Sequence, residues 1–393
     1  MMVCISFINT KKLRFFMKNV YLDNAATTSV SDAVFEVMKP YFIIEYGNAS
    51  CLHNKGQKAD DALNKARKII SDKINAEPEE IIFTSSGTES NNLAIKGIAY
   101  SKQKGHIITS QFEHPAVLNV CRDLEKNGFE VDYVKVDKNG FIDLNHFKSL
   151  IKENTILVSI MHANNEIGTV QDIREIGKIC KEKHIVFHTD AVQSFSKVEI
   201  DVKKDSIDLA SFSAHKIHGP KGVGALYIKK GTKIQNLFNG GSQEFGLRPG
   251  TENIPGIVGF AEAVRNIKSE DIENMKELRD YFISELLKID KTSLNGSRKS
   301  RLCNNISVSF HNTEGESILI SLDEKGIAVS TSSACTSSKL EQSHVLKAIG
   351  LKPEDSHGTV RFTLSRYTTK EEIDYTLECL KKIVERLRGI APK

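Results

Sequence analysis

The sequence contains no CxxC pair; its seven cysteines, Cys4, Cys51, Cys121, Cys180, Cys303, Cys335 and Cys379, are odd in number and far apart. That spacing argues against a paired-thiol zinc site and a redox dithiol, and it suits a reducing cytosol better than a disulfide framework. No apolar run approaches the roughly eighteen residues that cross a bilayer, so no membrane association is expected. Charge of one sign is not concentrated either. The chain has 54 Lys+Arg against 50 Asp+Glu, with the basic residues scattered, so direct nucleic-acid binding is not expected. There is no internal repeat and no low-complexity tract, which excludes a solenoid or a disordered linker protein.

What is present is a globular chain of 393 residues, 40% hydrophobic, long enough for a large core and two domains. Its start, MMVCISFINTKKLRFFMKN, has basic residues and no acidic ones, yet only one arginine and no cleavage-site pattern. We read residues 1–19 as an N-terminal extension, with Met17 as an alternative start and a cytoplasmic location.

From there apolar runs alternate with helical periodicity. EEIIFTSS, GHIITSQ, TILVSIMHA, HIVFHTDA and DLASFSAH read as short buried strands, separated by helical stretches such as NLAIKGIAYSKQ and AVLNVCRDLEKNG. This predicts an α/β fold with a mostly parallel sheet in a large domain, residues 20–265. From about Asn266 long charged helical stretches (SEDIENMKELRDYFISELLKI), the strand NNISVSF and a final helix EEIDYTLECLKKIVERL predict a smaller α+β domain, residues 266–393.

Ligands of open α/β sheets collect at the carboxyl ends of the strands, and three of these ends are unusually polar. After EEIIF comes Thr84-Ser85-Ser86-Gly87-Thr88-Glu89, running into a helix: a glycine turn with free helix-start amides can cradle phosphate, and an ordinary Ser/Thr helix cap uses the same residues. After HIVF comes Asp190, a carboxylate that needs a cationic or hydrogen-bonding partner; a protonated ring nitrogen or a helix N-cap would each serve. After DLASF comes Lys216 before the glycine-rich HGPKG, placed to form an imine if desolvated, or simply solvated like most lysines. Three such strand ends in order are less easily explained as accidents. In STSSACTSSKLEQ, Cys335 stands among small and hydroxylic neighbours, which suits either an incidental loop cysteine or a thiol on a travelling loop.

The stretches YLDNAATT, FTSSGTESNNLAIKG, EHPAV, MHANNEIGTVQDI, HTDAVQ, SFSAHKIHGPKGVGALY, GGSQEFGLRPGTEN, SSACTS and VRFTLSRYTT, in that order, cover nearly everything from Val20 onward. Here the chain resembles the aminotransferase class V family of fold-type I pyridoxal 5'-phosphate enzymes, and within it the NifS/IscS-like cysteine desulfurases. The resemblance implies the PLP-dependent transferase fold of type I, with a seven-stranded sheet in the large domain and the catalytic cysteine loop in the small one. It implies Lys216 as the imine lysine, Gly87, Thr88, Ser213 and His215 around the cofactor phosphate, Asp190 at the pyridinium nitrogen, Gln193 at the ring hydroxyl and Asn165 lining the ring. It also implies His114 stacked on the ring and able to move protons, Thr251 reaching the cofactor phosphate of a neighbouring subunit in a homodimer, and Arg361, assisted by Asn48, on the substrate carboxylate.

By the same resemblance the protein is a sulfurtransferase acting on L-cysteine. Lys216 abstracts the α-proton, Cys335 attacks the substrate sulfur, and the products are alanine and a Cys335 persulfide. The persulfide would go to an iron-sulfur scaffold protein or another acceptor such as one for tRNA thiolation; no resident metal is implied, although Cys335 would be able to contact a nascent iron-sulfur cluster. Departures are small: Ser86-Gly87 replace the glycine-alanine of IscS-type chains, GNAS lacks the usual proline, and Ser242 replaces a glycine. Two alternatives stay open at this stage: another class V enzyme in which Cys335 is dispensable, and a non-catalytic interaction protein on the same fold.

Overall fold

The computed structural model describes residues 19–331 and 342–390. Along them run the strands β1 (Val20–Tyr21), β2 (Ile81–Thr84), β3 (His106–Ser110), β4 (Glu130–Val134), β5 (Thr155–Ser159), β6 (Val186–Asp190), β7 (Leu209–Ser213), β8 (Gly224–Ile228), β9 (Thr292–Leu294), β10 (Asn305–Phe310), β11 (Ile327–Ala328), β12 (Ser330–Thr331) and β13 (Thr359–Thr363).

β2 to β8 form one seven-stranded sheet in the order β2-β8-β7-β6-β5-β3-β4, and only the pairs involving β8 are antiparallel. The reason is connection length: β7 and β8 are joined by a link of about ten residues, shorter than the dozen or more that a parallel crossover needs. The central strands are buried on both faces, as their β-branched and aromatic content dictates. Successive residues alternate between two cores. Ile82, Ile107, Leu157, Leu209 and Leu226 pack with Leu93 and Ile98 of the helix Gly87–Lys102 and with Val117 and Leu124 of the helix Pro115–Lys126. Phe83, Ile108, Val158, Ala210 and Ala225 pack on the opposite face with Ile70, Ile176 and Phe260, from three other helices. The edge strand β4, EVDYV, is exposed at its start and half-buried through most of its length, which is why its pattern is weakly apolar.

A third core lies around the antiparallel sheet β12-β13-β10-β9. Phe282, from the helix Ser269–Leu286, meets Phe362 of β13 edge to face with ring centroids 5.1 Å apart. β1 pairs in parallel with β11, and Val20 and Leu22 belong to this third core. The chain then crosses between the two sheets. Asn24 Nδ2 donates to the Thr363 carbonyl at 2.7 Å, and the Thr28 N–H donates to the His215 carbonyl at 3.0 Å. The segment Asp23–Thr28 thus links the small sheet to the carboxyl edge of the large one. We propose a domain boundary at residue 265, because the helix Ile254–Arg265 packs in the first core and Ser269–Leu286 in the third. Among the described residues no helix is long and apolar enough to cross a membrane.

Candidate active site

The carboxyl ends of β2, β3, β5, β6 and β7 open on one edge, and most of the polar groups marked in the sequence meet there. β6 ends at Asp190, which is 5% exposed. Its Oδ2 accepts from Asn91 Nδ2 at 2.7 Å and its Oδ1 from the Val192 N–H at 3.0 Å, so the carboxylate is fixed in orientation. Asn91 lies on the helix after β2, is fully buried, and has no partner for its own Oδ1.

β7 ends at Ser213 and passes into a tight turn, Ala214–Lys216. The Lys216 ammonium donates to the carbonyls of Ala25 at 2.5 Å and Ala26 at 2.8 Å. Burial pushes its pKa down to about 8, and the positive charges of Arg361 and Lys197 add to the effect. Gln193 Nε2 donates to the same Ala25 carbonyl at 3.0 Å. One backbone carbonyl therefore sets two side chains side by side.

β2 leads through Ser86, whose Oγ caps the helix by accepting from the Glu89 N–H, into Gly87. The first amides of that helix, at Gly87 and Thr88, have no intrahelical acceptor. A Cβ on Gly87 would come within 2.6 Å of Val192 Cγ2 and 3.6 Å of Ser213 Cβ, so only glycine lets the turn close on the Asp190 loop. Ser213 Oγ is buried there without a partner. His215 Nδ1 lies 3.2 Å from Thr27 Oγ1, and burial with nearby Lys216 and Lys221 holds the ring's pKa near 4, leaving it neutral.

After β3, His114 caps the helix Pro115–Lys126: its Nδ1 accepts from the Ala116 N–H at 3.1 Å. Burial lowers its pKa, and the capping bond places the ring proton on Nε2. After β5, Asn165 contributes its backbone carbonyl to Arg361 Nη1 at 3.1 Å. Arg361 is 7% exposed on β13, its Nη2 is bound to Asp23 Oδ1 at 2.8 Å, and its Nε is buried with no acceptor. An unsatisfied buried guanidinium donor costs about 1–3 kcal/mol, which a bound carboxylate would relieve.

Three expected residues stand apart. Asn48 is exposed, and its Oδ1 accepts from the Ser50 N–H at 2.9 Å, closing a local turn, while Arg361 donates to Asp23 and to the Asn165 carbonyl instead. Thr251 is exposed on the loop before the helix Ile254–Arg265 and joins no cluster within one chain. Cys335 lies outside the described residues. Conversely, Asn91, Asp23 and the Ala25 and Ala26 carbonyls carry much of the geometry without having been assigned roles. Asn91 had a usable signal, since it stands one helical turn beyond Gly87 and so returns to the sheet-facing side.

An orphaned hydroxyl at Ser213, free helix-start amides at Gly87 and Thr88, an oriented acid at Asp190 and a lysine of lowered pKa together fit a phosphorylated aldehyde with a basic ring nitrogen. With a mixed, mostly parallel sheet behind them, they define the pyridoxal-phosphate-dependent enzymes of fold type I. The chain belongs to the aminotransferase class-V family, whose model matches residues 20–376. It is 54% identical to cysteine desulfurase IscS of Dictyoglomus turgidum over 381 residues, covering 95% of this chain and 97% of that protein. It is 52% identical to cysteine desulfurase IscS of Methanosarcina thermophila over 380 residues, covering 95% and 94%. Among solved structures, a NifS-like protein superimposes with a TM-score of 0.89 at 41% identity, over 94% of this chain and all of that one. SspA in complex with cysteine superimposes with a TM-score of 0.81 at 40% identity, over 89% of this chain and all of that one.

Proposed function

We infer that the protein is a cysteine desulfurase that converts L-cysteine to L-alanine and leaves the sulfur as a persulfide on Cys335. The observation that carries this reading is Lys216, an amine of lowered pKa held beside an oriented Asp190 and within the field of Arg361, in a chain half identical to curated cysteine desulfurases. Gly87, Thr88, Ser213 and His215 would hold the cofactor phosphate, Gln193 and Asn165 would line the ring, and Asp190 would meet the ring nitrogen. When bound, pyridoxal phosphate withdraws electrons from the substrate's α-carbon and so weakens the Cβ–S bond.

This chain's own groups then divide the labour. Arg361 grips the substrate carboxylate, with Nε the donor free to take it and Asp23 and the Asn165 carbonyl keeping the guanidinium in place. The free amine of Lys216 takes the α-proton, and His114 presents Nε2–H as a proton donor. The Cys335 thiolate forms a bond to the substrate sulfur as the Cβ–S bond breaks. Cysteine and thiol become alanine and persulfide with no outside oxidant or reductant.

We propose that the enzyme works as a homodimer in the cytoplasm and passes its persulfide to an iron-sulfur scaffold protein or a tRNA-thiolation acceptor. Support for the dimer comes from the exposed apolar side chains Phe42, Ile43, Ile44, Tyr46 and Leu52, which follow closely in the chain. Alanine release from cysteine by the holoenzyme, compared with Cys335→Ala, tests the central reading. Loss of at least a hundredfold in turnover with the cofactor still bound is expected; an active Cys335→Ala variant would mean another class V chemistry.

A further inference from the structure

Glu166 follows Asn165 in the segment between β5 and the helix Ile173–Glu182. Its side chain is buried, and Oε2 accepts from Ser343 Oγ at 2.6 Å. The same hydroxyl accepts the N–H groups of Val345 and Leu346, so one oxygen ties the start of the helix His344–Ala348 to one carboxyl. The next residue repeats the attachment: His344 Nε2 donates to the Glu113 carbonyl at 2.9 Å, immediately before His114.

Chain connectivity gives these contacts a consequence. Ser343 stands eight residues after Cys335, and Ser330, five residues before it, pairs with Arg361 across β12 and β13. Arg361 in turn donates to the carbonyl of Asn165, and the Glu166 backbone is fastened by Asn164 Oδ1 and Asn305 Nδ2. The segment that holds Cys335 is therefore rooted upstream on Arg361 itself and downstream on the residue after the one that holds Arg361. Burial pushes the Glu166 carboxyl up to about 7, with Ser343 and the charge of Arg361 opposing the shift. The carboxyl thus sits in the field of the same guanidinium.

We propose that Glu166 is a positioning residue for sulfur transfer: through Ser343 it fixes the downstream root of the Cys335 segment relative to Arg361, and so sets where the thiol meets the sulfur. The inference rests on Cys335 being the sulfur acceptor. Misplacement of a reacting group by about 1 Å can cost as much as a hundredfold in rate, so a lost anchor should appear in turnover and leave substrate binding in place.

The test uses the holoenzyme with Glu166→Ala, Ser343→Ala, the double variant and Glu166→Gln. The expected result is that each alanine variant lowers kcat about tenfold with KM for cysteine changed less than about twofold, and that the double variant falls no further than Ser343→Ala, which already removes the Glu166 contact along with the caps on Val345 and Leu346. Glu166→Gln, which keeps an acceptor, should recover most of the rate. The rate of Cys335 alkylation by iodoacetamide without cysteine should change at least about threefold in both alanine variants, independently of turnover. Multiplicative losses in the double variant, a rise in KM at unchanged kcat, or wild-type alkylation would overturn the proposal. If Glu166→Ala fails to fold, Ser343→Ala against Ser343→Thr decides, because the threonine retains the hydroxyl. Cys335→Ala separates the two levels: a still active Cys335→Ala enzyme sinks the reading of Cys335, whereas an inactive one beside unaffected anchor variants sinks only the role of Glu166.

Discussion

Lys216 is solvated by two backbone carbonyls and has no carboxylate within hydrogen-bond reach, so desolvation outweighs attraction and its pKa falls to about 8. Below that pH the amine is charged and cannot attack a carbonyl; above it the amine is neutral. The rate at which apoprotein takes up pyridoxal phosphate should therefore rise about tenfold per pH unit up to roughly 8 and level off beyond. Stopped-flow absorbance would check this, and a rise continuing to pH 10 would show an unperturbed lysine. Glu113 carries the opposite sign. Burial raises its carboxyl to about 8, against the Ser110 and Met161 hydrogen bonds, and its Oε2 has no partner. The folded state then holds a proton that the unfolded state releases near pH 4.5, so this group's contribution to stability is complete below that value and is lost as pH rises to about 8. Glu113→Gln should flatten the fall in Tm between pH 5 and 8; an unchanged slope would place the titration elsewhere.

At the scale of elements, the site is made by strand ends and the turns after them. Gly87 shows how narrow the tolerance is, since Gly87→Ala would press a methyl against Val192 and the Asp190 loop. Overpacking of this kind costs about 1–3 kcal/mol. Thermal melts should register that loss together with weaker cofactor retention, and Val192→Ala in the same chain should restore part of both; no recovery would mean that the turn itself is strained. The strands that hold these turns were visible beforehand. IIF, HIIT, ILVS and VFHT are short and rich in β-branched residues, LASF is short and mostly apolar, and each forms a strand of the central sheet. β4 was harder to read because an edge strand with one face wet needs few apolar residues, and EVDYV carries two acids. The reversal of β8 follows from a short link, which strand patterning does not record.

Across the whole molecule, the exposed apolar surface at Phe42, Ile43, Ile44, Tyr46 and Leu52 is hard to reconcile with a solitary chain. Ile43→Glu with Leu52→Glu should shift sedimentation from dimer to monomer; a monomeric wild type would dismiss the proposed dimer. The sequence by itself determined the α/β class, where five buried strands fall along the chain, and the acid and the lysine at two strand ends. Those depend on local periodicity and on which residues follow a strand, both carried by neighbouring positions. Tertiary structure alone decided that Asp23 and Ala25, near the start of the described chain, would meet Arg361 and Lys216, that Asn91 would orient Asp190, and that Glu166 would reach Ser343. These partners are separated by 99 to 338 positions. Helical spacing marked only Asn91 as facing the sheet; the pairings themselves became contacts only when distant segments met at one sheet edge.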